Sequence, residues 1–156
     1  MTPDNAPFDL ARFTVAQSGH IDDALAEMRA GRKRTHWMWF VVPQMRGLGR
    51  SDMARRYGIS GGAEARAYLA HPVLGPRLVA CADAVLAHAG TPATVIFGDI
   101  DALKLQSSMT LFAAVSPPGS VFERVLAAFF GGARDAWTPV LLARGGGARA
   151  GGERGG

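Results

Sequence analysis

Cysteine, lysine and long apolar runs are all scarce in this chain, and each scarcity excludes something. Cys81 stands alone among 156 residues, so no disulfide can close within the chain and no paired-thiol zinc or redox motif exists. That usage fits a reducing compartment. No apolar run approaches the roughly 18 residues that cross a bilayer, and Met1 to Pro7 lacks the basic start and apolar stretch of a secretion signal. The expected location is the cytoplasm, with no membrane partner. The four histidines, His20, His36, His71 and His88, lack zinc-ligand spacing, and none belongs to an H-E-x-x-H element. No metal and no cofactor are expected. Fifteen of the seventeen basic residues are arginine, which leaves Lys33 and Lys104 as exceptions to the chain's own habit.

Hydrophobic residues make up 48% and charged residues 19%, a balance that supports one folded domain with a real core. The formal charge of +4 is unevenly spread. Arg29 to Arg56 holds eight basic residues against Asp52 alone, while acids outnumber bases in the rest of the chain. Such a segment either solvates a surface or draws an anionic partner, with nucleic acid among the candidates.

Helical signals outnumber strand signals, and the expected fold class is all-α: a compact multi-helical domain with little or no sheet. Ile21, Leu25 and Met28 fall at helical spacing, with Asp22 and Asp23 in the first turn and Gly31 placed to end the helix. A short helix from Ser51 to Gly58 and another from Ala63 to Leu69 precede Pro72. Leu74, Leu78, Cys81 and Val85 form a further stripe, whose regular helix is expected to start only after Gly75 and Pro76. The stripe makes Cys81 a buried thiol. Ser120 and Glu123 form a capping box before Phe122, Val125, Leu126 and Phe129, and Asp99 can cap a helix running to about Ala114. Thr94 to Phe97 reads as a short strand or one more helical turn, with helix preferred. The expected division is a flexible start over residues 1–7, a helical domain over 8–143 and a disordered Gly/Arg-rich tail over 144–156, where little can be buried.

Three segments could carry chemistry. In the first, Gly31 to Gln44, a basic cluster runs into His36, Trp37, Met38, Trp39 and Phe40. Two tryptophans one residue apart point in different directions, so at least one belongs to the core, and the other can wall a pocket for a planar ligand. The second, Gly47-Leu-Gly-Arg-Ser51, ends at a helix start that favours an anion, or is simply a capped loop. The third is the helix carrying Lys104, Ser107 and Ser108 on one face beside the core stripe of Leu105, Met109 and Phe112. Lysine, a compact charge, suits phosphate contact or proton transfer better than arginine does. The expected ligand is therefore an anionic small molecule, nucleotide-like in one version, bound by Lys33, Arg34, Trp37, Trp39, Gln44, Arg50, Ser51, Lys104, Ser107 and Ser108. Alternatives are a hydrolase or transferase using His36 as acid or base, and a nucleic-acid or protein interaction module using residues 29–56.

The strings Gly31-Arg-Lys-Arg-Thr-His-Trp-Met-Trp-Phe-Val-Val-Pro-Gln44, Gly47-Leu-Gly-Arg-Ser51, Glu64 to Leu78, Phe97-Gly98 and Lys104-Leu-Gln-Ser-Ser-Met-Thr-Leu-Phe112 resemble the bacterial family called domain of unknown function 1810. Some members carry the label calpastatin. The resemblance covers about residues 8 to 142, and it implies a predominantly helical single domain. It implies no activity, cofactor or catalytic residue.

Overall fold

The computed structural model describes residues 8–148, with side chains described to residue 144. Among the described residues ten helices follow one another: α1 (Ala11–Gln17), α2 (Ile21–Ala30), α3 (Met38–Val41), α4 (Asp52–Tyr57), α5 (Gly62–Ala70), α6 (Leu74–Leu86), α7 (Ala93–Phe97), α8 (Asp99–Ala114), α9 (Val121–Phe130) and α10 (Trp137–Ala148). Among the described residues there is no strand, only an isolated parallel bridge between Met45 and Ile59. The protein is all-α. No single described helix is long and apolar enough to cross a membrane.

The caps explain where several helices begin and end. Gly31 ends α2 in the left-handed conformation, φ 75°, and the His88 ring occupies the space that a side chain there would need. Ser51 Oγ accepts from the Ala54 N–H at the start of α4, and Ser120 Oγ accepts from the Glu123 N–H at the start of α9. The Glu123 carboxylate in turn accepts from the Gly119 N–H, one residue earlier than the usual capping-box partner.

Helix α6 departs from expectation at its start. It begins at Leu74 and takes Gly75 and Pro76 into its first turn, where a proline's missing N–H has no helical partner to lose. His71 Nδ1 accepts from the Val73 and Leu74 N–H groups there. Gly75 is required because an added Cβ would overlap the Leu69 carbonyl oxygen at the α5–α6 junction. The α10 backbone runs on to Ala148, into the span expected as the start of the tail. The expected flexible start and residues 149–156 lie outside the described residues.

At the centre is α8, which packs against α9, α7, α5, α10 and α3. From Leu105 to Ala113 every residue except Gln106 is buried. Its apolar groups lie all round rather than along one stripe, as a helix enclosed by neighbours requires. Its exposed residues lie in the first turn and a half and at its last residue, Ala114. On the far side of the core, Gln17 donates to the Phe40 carbonyl and the Tyr68 hydroxyl and accepts from Arg77. Burial pushes the Tyr68 hydroxyl above its ordinary range. The buried Glu64 carboxylate accepts from Arg12 and Ser60, which fastens α1 to the start of α5. Cys81 is buried in α6, and burial raises its thiol to about 12. Iodoacetamide should therefore label it only when the chain unfolds, and labelling at the rate of a free thiol in the native protein would show the packing to be wrong.

Candidate functional site

The site is built on the segment that leaves α2. Glu27, one turn before the end of that helix, accepts from the Arg34 N–H at 2.7 Å, the Thr35 N–H at 3.0 Å, the Thr35 hydroxyl at 2.7 Å and the Trp37 indole N–H at 2.9 Å. Desolvation pushes this carboxyl up, but the four donors outweigh it and hold the pKa at about 2. The Lys33 N–H donates to the Ile96 carbonyl at 2.7 Å, which ties the same segment to α7. These bonds deliver Lys33 to the first turn of α8.

There both lysines of the chain meet one carboxylate. Lys33 Nζ lies 2.9 Å from Asp101 Oδ2, and Lys104 Nζ lies 3.6 Å from Asp101 Oδ1. The Lys33 side chain is 8% exposed and that of Lys104 26%. Each ammonium also faces an indole, Lys33 at 5.2 Å from the Trp37 ring centre and Lys104 at 5.0 Å from that of Trp39. The cluster borders an open cavity of about 520 Å³, which is also lined by His36, Phe97, Asp99 and Ile100. The start of α8 faces this cavity, and Asp99 and Asp101 already complement the positive end of the helix dipole.

Lys33, His36, Trp37, Trp39 and Lys104 thus share one cavity. The two tryptophans differ. Trp37 is fully buried, edge-on to Phe97, and its N–H is taken by Glu27, so its ring has no face open to a ligand. Trp39 is half-buried and can offer one. Gln44 lines a small compartment beyond the cavity and shares Met38, Trp39 and Lys104 with it.

The remaining expected residues lie elsewhere. Arg34 is exposed and contributes only its N–H to Glu27. Arg50 is exposed and away from the cavity, and Ser51 caps α4, a helix of six residues. Gly49 of the same loop presses on α4, where an added Cβ would come within 2.7 Å of Ala54 Cβ. Ser107 and Ser108 are buried inside α8, off the cavity lining, and Ser108 Oγ has no hydrogen-bond partner among the described residues. The spacing that relates them to Lys104 is sound, but that face enters the core one turn after Lys104.

Asp101, Asp99 and Glu27 were not expected at the site. Asp101 stands three residues before Lys104, an ordinary helical ion-pair spacing that could have drawn notice. Glu27 had no local signal, because its partners lie seven to ten residues on in an irregular segment. Among the described residues, no group of three histidines, cysteines or acids is placed to hold a metal ion.

The family model described as "Protein of unknown function (DUF1810)" matches residues 7–142. No curated protein matches the chain. Among solved structures, the crystal structure of the conserved hypothetical protein Rv1873 from Mycobacterium tuberculosis is 52% identical, with a TM-score of 0.85 over 88% of this chain and 98% of that one. The tryptophan-rich segment and the Lys104 helix fall within the matched span, and the chain belongs to the DUF1810 family of proteins of unknown function.

Proposed function

We propose that the protein binds a small molecule with a flat apolar body and a single anionic group, which sits at the Lys33–Asp101–Lys104 cluster. The carrying observation is that the chain's two lysines, from distant segments, share Asp101 at the wall of a 520 Å³ cavity. At the cluster itself two partly sheltered ammonium groups share one carboxylate, while Asp99 elsewhere on the lining balances the cavity as a whole, so the attraction for an anion is local to the two lysines. Trp39, Phe97 and Ile100 supply apolar walls, and the volume lies in the range of small-molecule sites. Asp99 at the rim opposes a second anionic group, so a monoanion suits the cavity better than a polyphosphate. Lys33 is engaged at this wall, which favours a small ligand over a nucleic-acid backbone as partner of the basic segment. His36 faces the cavity but has no hydrogen-bond partner among the described residues, whereas a general base is normally held by one.

Calorimetric titration with benzoate and with adenosine monophosphate tests this. Lys33→Met and Lys104→Met should each weaken benzoate binding by about 1.5–3 kcal/mol, the worth of a charged hydrogen bond. Asp101→Asn should strengthen it by removing the competing carboxylate, and His36→Ala should cost far less than either lysine change. Binding that is absent, or indifferent to both lysines in variants with native dichroism spectra, would overturn the proposal.

A further inference from the structure

We infer that the ligand carries one small polar substituent, a hydroxyl or amino group, which enters the compartment behind Lys104 and is read by Gln44; this rests on the small-molecule binding proposed above. The compartment adjoins the cavity across Met38, Trp39 and Lys104. Its free space is about 10 Å³, close to that of one water molecule. Only a group of one or two heavy atoms can enter.

The far walls cannot retreat to admit more. Gly58 is packed so closely that an added Cβ would stand 2.7 Å from Arg46 Cα and 2.9 Å from the Ala54 carbonyl oxygen. Gly49 presses on Ala54 from the other side, and Val42 and Tyr57 are buried. The Gln44 main chain is held, since its backbone carbonyl accepts from the Ile59 N–H at 2.9 Å. Its side-chain amide is half-buried and has no hydrogen-bond partner among the described residues. An amide beside an otherwise largely apolar recess offers one acceptor and two donors to a group that enters it. A hydroxyl or amino group satisfies it; a methyl group fills the space and does not. Lys104 Nζ, over the Trp39 ring at 5.0 Å, stands where the anionic and substituent ends of one ligand would part.

The test is a calorimetric comparison of benzoate with its 3- and 4-hydroxy, amino, methyl and ethoxy derivatives on the full chain. At least one hydroxy or amino isomer should bind about tenfold tighter than benzoate, and its methyl and ethoxy counterparts should show no such gain. In Gln44→Leu and in Ala54→Val the ratio of hydroxy to unsubstituted affinity should fall to about one. Gln44→Leu suffices if the valine variant does not fold. Wild-type binding of benzoate with no hydroxy or amino preference, or a preference that survives Gln44→Leu, would overturn the inference and leave the lysine site standing. The same result would follow if the compartment holds only a water molecule that no ligand displaces. Failure of benzoate and all derivatives to bind would instead overturn both.

Discussion

Glu27→Gln is expected to lower stability by about 2–3 kcal/mol at neutral pH, because four donors lose a charged acceptor and the amide cannot replace all of their bonds. The melting temperature should fall by roughly 5–10 °C for a domain of this size. The pH dependence separates charge from shape. The carboxyl is lowered from 4.5 to about 2 in the folded protein, so its contribution is complete above pH 4.5 and disappears as the pH falls toward 2. Denaturant titrations should show a constant gap between wild type and variant above pH 5, narrowing steadily below 4.5. A gap that persists unchanged to pH 2 would assign the loss to packing instead. Binding should suffer too, because the bonds to Glu27 place Lys33 against α8.

Gly75→Ala should be the more damaging change, by about 3 kcal/mol, with a melting temperature lowered by roughly 10 °C. The added carbon would overlap the Leu69 carbonyl oxygen and stand 2.9 Å from its carbonyl carbon, and both are backbone atoms of α5 that no rotamer change can move. Relief requires α5 and α6 to separate, which strains their contacts with α8 and α9. Gly19→Ala is the matched control, since nothing lies within 4 Å of a carbon added there, and it should shift stability by less than about 0.5 kcal/mol. Near-equal melting temperatures for the two variants would refute the close approach at Gly75.

Helices with one dry side and one wet side could be read from the sequence. The Ile21, Leu25, Met28 stripe became α2, and Ser51 and Ser120 became the caps of α4 and α9. Helices without that contrast escaped. The four-residue α3 is too short for a period, and α10 follows a glycine-rich pattern while starting at a capping contact from the Thr138 N–H to Asp135 Oδ2. The Gly75-Pro76 pair was read as a barrier because proline disrupts helix interiors, yet it occupies the one turn where it does not. At the site, the rarity of lysine pointed to Lys33 and Lys104. Their shared partner Asp101 comes from tertiary packing, and Ser107 and Ser108 misled because a one-sided face was assumed for a helix that is surrounded.

The three tryptophans stand at three depths, Trp37 fully buried, Trp39 half-buried and Trp137 62% exposed at the start of α10. Their fluorescence therefore divides into three populations. Trp137 should emit at the longest wavelength and yield first to acrylamide, Trp37 should emit at the shortest wavelength and resist the quencher, and Trp39 alone of the three borders both the cavity and the charge of Lys104. With Trp137 replaced by phenylalanine, the quenchable emission that remains comes from the cavity wall, and the protein carries its own optical probe of whatever enters there.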